Sequence, residues 1–168
     1  GAGCPGATGQ TPAEERGWQC ARTVPRVLNM RDGKLCQWPA REVEQLRKGR
    51  VSVTAGETVG SPGRLFDAVV SCRGTKSIEL EVREGVVVCF ANGMLTLDMG
   101  DEGYGRDKRS VELDELYCLR VLLDAAILEV FVNDGEVALT SRPYSSAAPA
   151  MRLRAEGDAS MELYRLAR

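Results

Sequence analysis

The side chains that could do chemistry here are 24 Asp and Glu, six cysteines, and scattered lysines and tyrosines; histidine is absent. Without an imidazole, Ser-His and Cys-His nucleophilic mechanisms are excluded. Any catalysis would rest on carboxylates, lysine, tyrosine or a bound metal. The cysteines fall at positions 4, 20, 36, 72, 89 and 118. None forms a CxxC pair, and a zinc site needs close-spaced ligands, so no metal site and no cofactor is expected. Cys72, Cys89 and Cys118 lie in apolar runs, where a thiol packs as a small hydrophobe. Buried free thiols fit a reducing, cytoplasmic setting.

Most of the carboxylates occupy the polar positions of alternating segments. Lys76 to Arg83 reads KSIELEVR, with Ile78, Leu80 and Val82 on one face and Ser77, Glu79 and Glu81 on the other. That period of two marks a strand with one solvated face. Tyr117, Leu119, Val121 and Leu123 alternate with Cys118, Arg120 and Asp124, and only Leu122 breaks the pattern. Residues 85–90, GVVVCF, are apolar on both faces, as in a central strand.

Turn chemistry divides these runs. Asp32-Gly33 separates RVLNM from KLCQW, Asn92-Gly93 separates GVVVCFA from MLTLDM, and Asn133-Asp134-Gly135 separates ILEVFV from EVALTS. Asx-Gly pairs between β-prone runs are strong hairpin signals. About twelve strand candidates at this spacing predict an all-β fold, an antiparallel sandwich of two sheets. The one helical-looking stretch is Ala40 to Lys48, where Val43 and Leu46 fit a helical spacing. Residues 1–25 show no period and read as an irregular lead-in to a sandwich over 26–168.

Net charge is −2 and the pI is near 5.4, so there is no basic field for nucleic acid and no polybasic stretch for a membrane surface. The apolar runs are too short to span a bilayer, and the N-terminus lacks the regions of a signal peptide.

Two segments carry a family resemblance. Residues 22–47, RTVPRVLNMRDGKLCQWPAREVEQLR, resemble the junction in family 32 glycoside hydrolases where the last propeller blade passes into the C-terminal domain. Residues 119–144, LRVLLDAAILEVFVNDGEVALTSRPY, are similar to that family's terminal hairpin. The family pattern has Glu where Val27 stands, and often a basic or polar residue where Trp38 stands. The resemblance implies a concanavalin-like sandwich that, in the parent enzyme, follows a catalytic five-bladed propeller. It implies a β-fructofuranosidase-type parent acting on sucrose, sucrose 6-phosphate or fructans through two close carboxyl groups. The family's W-[ML]-N-D-P-N-G and E-C-P motifs, which hold those groups, and its R-D-P motif do not occur in this chain. Asn133-Asp134-Gly135, Arg31-Asp32-Gly33 and Arg106-Asp107-Lys108 lack the prolines, and Asx-Gly turns account for the first two. No catalytic residue is therefore carried over, and the chain alone is expected to be inactive.

Two non-catalytic roles follow as expectations. In the first, the sandwich stabilises the propeller or mediates a homodimer, with Trp18, Val27 and Trp38 in the junction as candidate interface residues. In the second, it is a lectin-like module for fructosides. Aromatic residues number only nine, and Phe90 and Phe131 sit in core-like runs. Tyr104, flanked by Asp101 and Arg106 in the loop at 100–109, is then the candidate sugar platform.

Overall fold

Each Asx-Gly pair turns a hairpin in the computed structural model, which describes residues 22–60, 62–103, 107–125, 127–144 and 150–167. Asp32 and Gly33 have φ of 51° and 76°, and Asn92 and Gly93 have 53° and 73°. Positive φ at both central positions is what tight hairpins with right-twisted strands require. The strands in chain order are β1 (Arg26–Arg31), β2 (Lys34–Pro39), β3 (Arg47–Thr54), β4 (Thr58–Val59), β5 (Leu65–Ser71), β6 (Ser77–Arg83) and β7 (Val86–Ala91). They continue with β8 (Met94–Asp98), β9 (Lys108–Glu112), β10 (Cys118–Asp124), β11 (Ile127–Val132), β12 (Val137–Ser141), β13 (Met151–Glu156) and β14 (Ser160–Leu166).

The strands form two six-stranded antiparallel sheets and a separate β1-β2 hairpin. The first sheet has the order β12-β11-β10-β5-β14-β3, the second β4-β13-β6-β7-β8-β9. Their facing sides share one core, in which Phe66, Leu80, Leu97, Leu119, Val130 and Leu153 are wholly buried. The alternation in KSIELEVR is realised, with Ile78, Leu80 and Val82 all buried. The fold is the two-sheet antiparallel β-sandwich expected. Among the described residues fourteen strands stand where about twelve were anticipated, and one of them, β4, has two residues.

The segment 40–48 differs from the expected helix. It forms a 3-10 turn over Arg41–Leu46, and Arg47 is already extended at φ −65°, ψ 129°. Six residues are too few for a stable α-helix, and pairing of β3 with β14 captures the chain from Arg47 onward. Val43 is buried as expected, whereas Leu46 is 45% exposed.

Candidate functional site

The first sheet is covered on its outer side as well, and this is where the break at Leu122 finds its reason. Leu122 and Phe131 point away from the shared core and meet Val43, Val24 and Trp38 in a second apolar cluster. Phe131 is wholly buried, and the Trp38 ring meets it edge-on at 6.0 Å between centroids. The β1-β2 hairpin and the 3-10 turn thus form a cap on that face.

Charges fasten the cap. Asp67, wholly buried on β5, accepts from Arg120 Nε at 3.0 Å and Nη2 at 2.8 Å, and from Arg47 Nε at 2.7 Å. Arg120 Nη1 also donates to Glu44 Oε1 at 3.3 Å, tying the 3-10 turn to the sheet. Glu129 on β11 accepts from Arg26 Nη2 at 2.5 Å and from the Val24 backbone N–H at 2.8 Å. Arg26 further donates to Gln37 and Thr140 and lies over the Phe131 ring, 5.0 Å from its centroid. Both buried acids are therefore neutralised by guanidinium groups, the arrangement that makes a buried carboxylate tolerable.

The hairpin tip is held by the turn between β11 and β12. Arg31 Nη2 donates to the Asn133 carbonyl at 2.7 Å, and Lys34 pairs with Glu136 at 2.8 Å. That hydrogen bond is the largest cause that raises the Lys34 ammonium and lowers the Glu136 carboxyl from their ordinary values. Asn133 is buried, and its side-chain oxygen accepts from the N–H groups of Tyr117 and Cys118, while its amide donates to the Glu115 carbonyl at 2.6 Å. The Asn-Asp-Gly sequence is thus a structural staple. Gly135 has φ of 97°, and a Cβ there would lie 2.3 Å from the Gln37 carbonyl oxygen, so only glycine lets β2 approach this closely.

One face of the fastened hairpin presents apolar side chains to solvent. Register sets Met30 opposite Leu35, and Leu28, two residues along β1, shares their face. Leu28, Met30 and Leu35 are 60%, 69% and 54% exposed. A cleft of about 740 Å3 adjoins Leu28, lined also by Arg22, Val24, Arg26 and Thr140.

Of the residues singled out from sequence, Val27 is exposed on β1, and Trp38 is half-buried against Phe131. Asp101 is exposed in a 3-10 turn over Gly100–Gly103. Trp18, Tyr104 and Arg106 lie outside the described residues. Leu28, Met30 and Leu35 were missed. Their signal was present as Leu28 and Met30, two apart on one arm of the Asp32-Gly33 hairpin, with Leu35 on the other, which reads equally well as a core strand pair. Among the described residues no group of three or more His, Cys, Asp or Glu could hold a metal ion. Cys36, Cys72, Cys89 and Cys118 are free thiols, the first two buried and the others partly so.

Residues 42–166 match the model of the glycosyl hydrolases family 32 C-terminal domain. The chain belongs to that family. It is 35% identical over 161 residues to a raffinose invertase of Escherichia coli, covering 81% of this chain and 32% of that protein. A sucrose-6-phosphate hydrolase of Staphylococcus xylosus is 28% identical over 154 residues, covering 80% of this chain and 31% of its own length. The solved sucrose-6-phosphate hydrolase of Lactobacillus gasseri superposes with a TM-score of 0.83 at 18% identity, over 94% of this chain and 36% of that one, which speaks for the fold alone. The chain thus spans about a third of the length of these relatives.

Proposed function

We propose that this chain acts as the non-catalytic C-terminal unit of a β-fructofuranosidase-type hydrolase, and that the Leu28, Met30 and Leu35 face seats the enzyme's catalytic propeller. The observation that carries the reading is a hairpin clamped by ion pairs yet apolar on its open side. A rigid apolar patch loses little entropy on docking, and its desolvation supplies the driving force. The length of the relatives supports a large partner unit, and the invertase and hydrolase names they carry support its substrate class, sucrose-type fructosides. The carboxylate chemistry of fructosyl transfer to water would then reside in that unit, and this chain would release no fructose by itself.

A chimera tests this. The corresponding third of the E. coli raffinose invertase is replaced by this chain, with and without Leu28→Asp, Met30→Asp and Leu35→Asp together. The parent chimera should hydrolyse raffinose, and the triple variant should melt several degrees lower. The same three changes should leave the melting of the isolated chain nearly unchanged, because they touch exposed positions. Fructose release by the purified chain alone, or a triple-variant chimera as stable as its parent, would refute the reading.

A further inference from the structure

The flank of the first sheet farthest from β12 holds a second feature with no part in the docking surface. β3 ends that sheet, and its register with β14 slips between Leu163 and Arg165. Beyond the slip, Lys48 stands directly opposite Arg165. Like charges at directly opposed positions repel. The neighbouring cations are compensated, Arg47 by Asp67 and Arg50 by Glu162. Among the described residues Lys48 and Arg165 have no carboxylate within ion-pair distance.

The two cations, together with the Glu162-paired Arg50, rim a cleft of about 420 Å3 that opens between β3 and β14 of one sheet and β4 of the other. Its floor is apolar, with Val51, Val59 and Leu163, and among the described residues no carboxylate lines it. Val51 is 49% exposed there. Charges on an edge strand ordinarily guard it against pairing with another strand. That role does not call for an open apolar floor beneath them. A cleft of this size with an apolar lining and a few convergent polar groups is the usual form of a small-molecule site.

We propose that the cleft binds a small organic phosphate, its dianion held between Lys48 and Arg165 and its apolar part resting on Val51, Val59 and Leu163. Two cations match the charge of a phosphate monoester, and the guanidinium of Arg165 can offer paired N–H donors to two phosphate oxygens. Binding removes the repulsion that the empty cleft retains.

Phenyl phosphate is the probe, titrated into the 168-residue chain at low ionic strength and followed by calorimetry and saturation-transfer NMR. Saturable binding is expected, weakened about tenfold or more by Lys48→Gln or by Arg165→Gln, as loss of a charge-assisted hydrogen bond implies. Lys76→Gln, at an exposed cation of β6's approach that already faces Glu156, should leave the affinity unchanged. Inorganic phosphate should bind more weakly than phenyl phosphate. Without ligand, Lys48→Gln should melt at or above the parent temperature, since it relieves a repulsion. Absence of saturable binding, equal affinity of the Lys48→Gln and Arg165→Gln variants with the parent, or a lowered melting temperature of unliganded Lys48→Gln would each overturn the proposal.

Discussion

At the scale of single residues, Asp67 shows how this domain uses charge. It is wholly buried, and its carboxylate accepts hydrogen bonds from two guanidinium groups, those of Arg120 and Arg47. Removing one partner of such a pair strands the other, which costs about 3–5 kcal/mol. Asp67→Asn should therefore lower the unfolding free energy obtained from urea titration by that amount, and Asp67→Asn combined with Arg120→Met should cost less than the sum of the single changes. Equal additivity would mean that the two groups do not depend on one another. Gly135→Ala acts differently, through a φ of 97° and a Cβ driven into the Gln37 backbone. Its cost should exceed about 1 kcal/mol, with amide shifts along Lys34–Pro39 that reveal displacement of β2. Glu136 gives a pH signature of the same contact. Its folded pKa lies below the unfolded value near 4.5, so the stabilisation it provides is complete above that value and is lost as pH falls through the folded one. An NMR titration should show the lowered midpoint, and Lys34→Met should return it toward 4.5.

At the scale of elements, the cap of hairpin and 3-10 turn hangs on one aromatic ring. Phe131 meets Trp38 and Arg26 from the hairpin and clusters with Val43 from the turn. Phe131→Ala removes a wholly buried ring, at about 3–5 kcal/mol. Because Phe131 faces away from the shared core, hydrogen exchange should rise most over residues 24–46, while β6 to β8 remain protected. Uniform acceleration across both sheets would show instead that cap and sandwich unfold as one unit. The same geometry explains what could be read in advance. Asx-Gly turns and strict alternation marked the hairpins and the core face directly, since both depend on neighbours in sequence. The cap did not announce itself. Arg120 stands among the polar alternates of its strand and Leu122 breaks that alternation, but nothing local in the sequence marks Asp67, Glu129 and Arg120 as covered by a second layer or Leu122 as its contact. Leu28, Met30 and Leu35 are ambiguous in the reverse sense, because apolar residues on a hairpin fit a buried face as well as an open one. Only the three-dimensional placement of β2 against the Asn133 turn shows which side of that hairpin is left open.

At the scale of the whole molecule, the open side raises a question of size. Stable interfaces bury about 800 Å2 per partner, drawn from some 20–30 residues a side. Leu28, Met30 and Leu35 are a fraction of that, so the hairpin face by itself is too small to hold two separate chains together. The relatives resolve the difficulty by their length, since in each of them the matching region is about a third of a single longer chain. Covalent linkage turns docking into an intramolecular event at an effective concentration near the millimolar range, enough for a modest patch to stay closed. The isolated chain should accordingly be monomeric at micromolar concentration and show only weak, reversible self-association at millimolar concentration. Sedimentation equilibrium across that range measures it directly, and Leu28→Asp with Met30→Asp should abolish the association. A dimer that persists at micromolar concentration and survives those changes would place the assembly surface elsewhere on the sandwich, and the hairpin face would then lose its claim to be the domain's principal contact.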